Sequence, residues 1–372
     1  MNDSDRLRRI GVMSGGGDCP GLNAVIRAVT KTAISDHALE VYGIEDGFLG
    51  LIENRIRPLS YADVSNILNL GGTILGASNR ADPANFCVGE DADGKPICKD
   101  VSDRVIEYVS SRRLDAIVCI GGDGTMTAAA KLALRGLHFV GAPKTIDNDL
   151  MHTEVTFGFH TAVETATEAL DRIRTTAASH SRVMLVELMG RNAGWLTLYA
   201  GIAAGADLIL IPEIPFSLDA IIEQCLARSR KGKAYTLIAV AEGAAPIGGE
   251  VVVDRVVRDS PDPIRLGGIS QVLCEQIGHS THLECRATIL GHVQRGGTPC
   301  PYDRVLGTQF GHQAVKLLMA GQYDCLVVMQ NGRLTSVPLA EVAGKQRTVP
   351  PDHPLIAAAR ATGSCFGDEG AA

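Results

Sequence analysis

The sequence predicts an α/β fold with mainly parallel sheets, divided between two domains. Apolar runs that end in glycine-rich loops and lead into helix-patterned segments recur along the chain. Such units in series build a parallel sheet, and ligands gather at the C-terminal ends of its strands. The chain has 372 residues, more than one hydrophobic core usually organises. Its 41 glycines cluster where apolar runs stop, as functional turns of an α/β protein would.

The elements follow in order. Arg9 to Met13 is a short apolar run, Ser14 to Gly21 is a glycine loop, and Leu22 to Ser35 has helical spacing at Val25, Ile26, Val29 and Ala33. Leu39 to Ile44 reads as a second strand. The unit returns as strand Ala116 to Ile120, loop Gly121 to Gly124 and helix Thr125 to Arg135. His138 to Ala142 is the next strand, ending in Pro143. A second block begins near Gly158, where Ala162, Ala166, Leu170, Ile173 and Ala177 mark one face of a helix. Arg182 to Glu187, Leu208 to Ile211 and Tyr235 to Ala241 are further strands. Ala81 to Asp100, Ala244 to Gly268 and the tail after Gly344 read as loops or insertions.

Composition narrows the function. Apolar residues make up 45% and charged residues 21%, an ordinary globular balance. Net charge is −7 and no long basic stretch exists, which argues against nucleic acid as a partner. Met1 to Arg9 lacks the apolar core of a signal peptide, and Leu196 to Ala206 is too short to span a bilayer. The ten cysteines form no CxxC pair or Cys/His cluster, so free thiols in a reducing cytoplasm are expected. Cys19 and Cys119 read as small packing residues.

Four segments carry chemistry. Gly15-Gly16-Gly17-Asp18-Cys19-Pro20-Gly21 opens a helix, where backbone N–H groups and the helix terminus favour phosphate. It is no Walker loop, since no GK[ST] follows. Gly121-Gly122-Asp123-Gly124-Thr125 repeats the design with a carboxylate that can hold Mg²⁺ against a transferred group. In Lys144-Thr145-Ile146-Asp147-Asn148-Asp149, carboxylates two residues apart on an extended segment point to one side. One can accept a hydroxyl proton while the other orients metal; the alternative is an Asx-rich turn. His292 with Gln294-Arg295-Gly296-Gly297 and Pro301-Tyr302-Asp303-Arg304 adds arginine, whose planar fork suits a sugar phosphate.

In this order and spacing, and with Ser181-Arg182 leading into Val186-Glu187-Leu188-Met189-Gly190-Arg191, the segments resemble the phosphofructokinase family from about Arg9 to about Met319. The resemblance implies two Rossmann-like domains with the active site in the cleft between them. It places residues 1–158 and about 294–345 in a larger phosphoryl-donor domain, and 159–293 with the C-terminal tail in a smaller sugar domain. Asp147 would be the general base for the 1-hydroxyl of fructose 6-phosphate, Thr145 would touch the transferred group, and Arg191 would stabilise transition-state charge. Asp123 and Asp149 would position Mg²⁺. Gly16, Arg80, Gly122, Asp123, Gly124, Thr125 and Lys144 would bind the donor. Met189, Glu242, His292 and Arg295 would hold the sugar phosphate, joined by Arg182 and Arg286 from a neighbouring subunit of a homotetramer. Arg27, Lys31, Arg55, Arg174, Asp207, Lys231 and Lys233 resemble an allosteric effector site.

The donor is ATP or pyrophosphate. In the family, pyrophosphate users carry aspartate in place of Gly124 and lysine at the position of Lys144, whereas ATP users have glycine at both. An anion at the first position excludes only the longer donor, so Gly124 favours ATP. The rival readings are a pyrophosphate-dependent enzyme, a catalytically silent sugar-phosphate-binding subunit, and a NAD or lipid kinase.

Overall fold

Alternation along the strands shows how the layers form. Ile10 and Val12 face one core and Met13 another, while Met184, Val186 and Leu188 face away from Val183 and Leu185. The computed structural model describes residues 7–93, 95–257 and 263–368. Most of the polar N-terminal segment, and parts of the Ala81 to Asp100, Ala244 to Gly268 and tail stretches, lie outside the described residues.

The first half of the chain runs β1 (Arg9–Ser14), α1 (Leu22–His37), β2 (Glu40–Ile44), α2 (Phe48–Glu53) and β3 (Ile56–Leu59). A hairpin of β4 (Phe86–Glu90) and β5 (Pro96–Lys99) precedes α3 (Ser102–Ser111), β6 (Ala116–Gly121), α4 (Asp123–Ala133) and β7 (Phe139–Thr145). Then come β8 (Phe157–Gly158), α5 (Phe159–His180), β9 (Val183–Leu188), α6 (Trp195–Ala203), β10 (Leu208–Leu210), α7 (Leu218–Arg230) and β11 (Thr236–Ala241). The rest is β12 (Val253–Val256), β13 (Ile264–Leu266), α8 (Ile269–Ser280), β14 (Cys285–Ile289), α9 (Pro301–Met319), β15 (Cys325–Gln330), β16 (Arg333–Pro338), α10 (Leu339–Val342) and α11 (Pro354–Ala361).

Two sheets organise these elements into two Rossmann-like domains. The larger has the order β16-β15-β7-β6-β1-β2-β3, with β8 beside β7, and it is parallel except for β16 and β3 at its edges. The smaller, β10-β11-β9-β14, is wholly parallel. One continuous core joins them: β1, α1, α5, α6, α9, β9 and β11 all contribute to it. In α9, Gly307 and Gly311 let α1 approach closely, since a Cβ on Gly311 would stand 2.7 Å from the Val25 carbonyl oxygen. Asp303 in α9 is fully buried and its carboxylate accepts from Thr161 N–H and Oγ1 at 2.8 and 2.6 Å. This fixes the start of α5 against α9.

Three expectations change. The strand expected to stop at Pro143 continues to Thr145, because β7 pairs with β6 as far as Pro143 and then with β8 through Lys144 and Thr145. The segment after it is not extended: the chain bends at Ile146 and Asp147, and Asn148 has φ +52°, a conformation asparagine tolerates well. Finally, Cys87 and Cys98 are not free. They face one another across the antiparallel β4–β5 pair with Cα atoms 3.8 Å apart and form a disulfide, while the other eight are free thiols. Cys19 and Cys119 are buried, and burial pushes both thiols up to about 12, as expected of packing residues. Among the described residues no helix is long and apolar enough to cross a membrane.

Candidate active site

β1 lies between β2 and β6, so the loops that follow β1 and β6 open side by side at a topological switch point. Gly15 N–H donates to the Ile120 carbonyl at 2.8 Å, locking the two loops together. Thr125 fills the space their missing side chains leave: a Cβ on Gly121 would come within 2.3 Å of Thr125 Cβ, and one on Gly15 within 2.6 Å of its Oγ1. Gly121→Ala is therefore expected to destabilise the protein by about 1–3 kcal/mol. Urea denaturation checks this; an unchanged midpoint would show that Thr125 can move aside.

Gly122 caps α4 without a side-chain bond, so no capping side chain occupies the first N–H groups of the helix. Gly124 is exposed and a Cβ there would meet nothing within 4 Å. Gly16 N–H donates to Ser78 O at 3.2 Å, which lays the strand-like segment leading to Arg80 along the first loop. Lys144 is buried and its ammonium donates to the Gly17 carbonyl, with burial holding its pKa below the usual lysine range. Arg295 donates to Asp18 O at 3.2 Å and approaches Gly17, so the Gln294-Arg295-Gly296-Gly297 turn closes over the same loop.

The carboxylates meet beyond this floor. The Asp147 N–H is held by Thr145 Oγ1 at 3.0 Å, yet its own Oδ1 is buried without a hydrogen-bond partner. Asp149 is almost fully buried; burial first, and then the neighbouring Asp147, push its pKa up to about 7. Asp123 is also raised by burial and accepts from Gly344 N–H at 2.9 Å and Thr127 Oγ1 at 3.3 Å. Arg191 reaches these acids from the other sheet. It follows β9 in a loop with φ +141° at Gly190 and +53° at Arg191, and its charge is felt by Asp147, Asp149 and Asp123. Glu242 follows β11 and accepts the Arg191 N–H at 2.9 Å; burial, then Asp147, push it up to about 7. Met189 is half-buried beside this loop, and His292 lies exposed on the turn after β14.

Arg182 and Arg286 are not brought to this cluster. Both pair with Glu284 at the opposite end of the small sheet, with Arg182 at 2.9 Å. The seven residue steps from Arg182 to Met189 place the two ends about 23 Å apart along the strand. The basic set also divides. Arg27 and Lys31 lie on α1, where Lys31 sits over Tyr61, and Arg55 is ringed by Glu45, Asp46 and Glu53. Arg174 and Lys233 lie within electrostatic reach of Asp207, whose carboxylate pairs with Arg228 at 2.7 Å, and Lys231 caps the C-terminus of α7. Arg228 was not singled out from the sequence. Nor were Asn192, Gly344, Gln346 and Arg347, which touch the site without belonging to any motif.

This arrangement suits phosphoryl transfer: a helix N-terminus and glycine loops for phosphate, a basic floor, and a carboxylate with an unpartnered oxygen within electrostatic reach of an arginine. Residues 9–318 match the model of the phosphofructokinase family. The chain belongs to that family. It is 49% identical over 363 residues to the ATP-dependent 6-phosphofructokinase 2 of Clostridium perfringens, covering 97% of this chain and 99% of that one. It is 46% identical to the pyrophosphate–fructose 6-phosphate 1-phosphotransferase of Amycolatopsis methanolica, covering 93% of this chain and 97% of that one. Its fold is similar to that of the phosphofructokinase from Saccharomyces cerevisiae, with a TM-score of 0.74 and 32% identity over 90% of this chain. The chain spans 45% of the length of that yeast protein.

Proposed function

We propose that this phosphofructokinase-family protein is an ATP-dependent 6-phosphofructokinase, converting fructose 6-phosphate to fructose 1,6-bisphosphate in the cytoplasm as a step of glycolysis. The observation that carries the reading is the unpartnered, buried Oδ1 of Asp147, a carboxylate within electrostatic reach of Arg191. A buried acceptor with no partner is costly unless a ligand completes it. Here the 1-hydroxyl of the sugar does so. Asp147 takes its proton as the hydroxyl oxygen bonds the γ-phosphorus and the bond to the β-phosphate oxygen breaks.

The remaining roles are those the resemblance to the family implies. Thr145 touches the transferred group, and Arg191 stabilises the charge that spreads over its oxygens. The loop N–H groups of Gly16, Gly122, Gly124 and Thr125 hold the donor, with Arg80 and Lys144 neutralising it. Met189, Glu242, His292 and Arg295 hold fructose 6-phosphate. Arg182 and Arg286 serve a neighbouring subunit of a homotetramer, and the Arg174–Asp207–Lys231–Lys233 and Arg27–Lys31–Arg55 groups form halves of effector sites between subunits. We assign residues 1–158 and about 294–345 to the donor domain, and 159–293 to the sugar domain.

Asp123 and Asp149 fit Mg²⁺ as hard oxygen donors. Two protein carboxylates would share such an ion with donor phosphates and water. When bound, Mg²⁺ neutralises the developing phosphate charge.

ATP is favoured because the space at Gly124 is open. Buried Lys144 and the Amycolatopsis relative support pyrophosphate as the second reading. Gly124→Asp is expected to fold normally, to lose ATP use by about tenfold or more through like-charge repulsion, and to gain pyrophosphate use. Initial rates with both donors check this; unchanged ATP use would remove the gate. For the parent protein, a coupled assay of fructose 6-phosphate with ATP, ADP and pyrophosphate decides the donor. No product with any of them would overturn the function.

A further inference from the structure

The segment after α10 carries no motif, yet it crosses the site. Gly344 N–H reaches Asp123, and Gln346 forms an isolated antiparallel bridge with Leu150. The Gln346 side chain then spans two sides. Its Nε2 donates to Asp149 Oδ2 at 3.4 Å, and its Oε1 accepts from Asn192 Nδ2 at 3.2 Å. Arg347 anchors the crossing: its N–H donates to Asp149 O at 2.7 Å and its guanidinium to Asn148 O at 2.8 and 3.2 Å, stacked 4.4 Å from the Trp195 ring centroid. Trp195 Nε1 returns a bond to Arg347 O at 3.1 Å. Glu213 closes the run, accepting from Val349 N–H at 2.8 Å and Gly194 N–H at 2.9 Å.

We infer that Gln346 is a positioning residue for phosphoryl transfer: it ties the Asp149 carboxylate to Asn192 and so holds the adjacent Arg191 at its working distance from the acids. The inference rests on the roles proposed above for Asp147, Asp149 and Arg191. The Arg191 loop needs outside ties because Arg191 itself has a positive φ, a conformation an arginine does not favour unaided. Glu242 and Glu213 tie it within its own domain, whereas Gln346 reaches across to the carboxylates. A primary amide suits this place. It donates to a carboxylate at one end, accepts an N–H at the other, and adds no charge to a crowded acidic cluster.

Gln346→Met keeps the side-chain length and removes both bonds. Its kcat is expected to fall by about 10–100-fold with KM for both substrates within about threefold, since misplacement of a transition-state group costs turnover rather than binding. Asn192→Ala is expected to do the same, and the double variant to lose little more than either single, because the two side chains form one tie. Deuterium exchange of residues 190–195 should rise in Gln346→Met. Unchanged kcat, or losses that multiply in the double variant, would overturn the inference. If the parent protein transfers no phosphoryl group to fructose 6-phosphate, the proposed function fails instead. In that case exchange at 190–195 still decides the tie: a rise supports it, and no rise sinks it.

Discussion

Asp147→Asn is expected to lower kcat by about 10²–10⁴-fold while leaving KM for fructose 6-phosphate within a few-fold, because it removes proton transfer but little binding. The side chains are isosteric, so the pocket keeps its shape. The same substitution should make the protein more stable in alkaline buffer. Asp149 and Glu242 are both pushed up to about 7, by burial first and by Asp147 in addition. A carboxyl raised above its unfolded value binds more protons in the folded state, so stability falls as pH rises from about 4 to about 7. Removing the Asp147 charge eases that loss. The gain should therefore show in thermal melts at pH 8 and shrink toward pH 5. Less active and more stable is the signature of a carboxylate kept for chemistry. Full activity in Asp147→Asn would sink the base assignment.

Arg191→Ala is expected to cost about 10²–10³-fold in kcat, the scale for losing one preorganised donor to transition-state charge. Arg191 lies within electrostatic reach of Asp147, Asp149 and Glu242, and its loop is shaped by the Glu242 bond to its N–H. That bond is made by the backbone and survives the substitution, so the loss isolates the guanidinium. Lysine should recover only part of the rate, since it keeps the charge and lacks the planar fork. Steady-state kinetics separate the roles. A raised KM for the sugar with kcat intact would make Arg191 a binding residue instead.

Local signals were read well and long-range ones were not. The two glycine loops announce themselves because each is one strand–turn–helix unit, and both unfold from sequence to structure with bounds shifted by a residue or two. Carboxylate spacing makes Ile146 to Asp149 read as extended, yet an Asp-Asn-Asp run is rich in turn formers and Asn148 does take a left-handed conformation. The β15–β16 hairpin was missed despite Asn331-Gly332, the strongest short hairpin signal, with φ values of +50° and +69°. The Cys87–Cys98 pair depends on the register of two antiparallel strands, which the spacing of the cysteines does not encode. Gln346 and Arg347 gave no signal at all. They act through contacts with residues about 150–200 positions earlier, and neither periodicity nor spacing encodes such distances. Arg182 and Arg286, expected to serve a neighbouring subunit, stand at the far end of the small sheet, where strand direction sends them.

The empty space beside Gly124 has an evolutionary consequence. A glycine codon ending in a pyrimidine becomes an aspartate codon by one base change, and a Cβ at that position would meet nothing within 4 Å. Gly121, three residues earlier, is locked by its collision with Thr125. On the proposed donor gate, a lineage can therefore change its energy currency by a single mutation that leaves the fold neutral, and can revert as readily. Donor preference is then a shallow trait, free to follow the metabolism of the host, while the loop that presents it is held fixed.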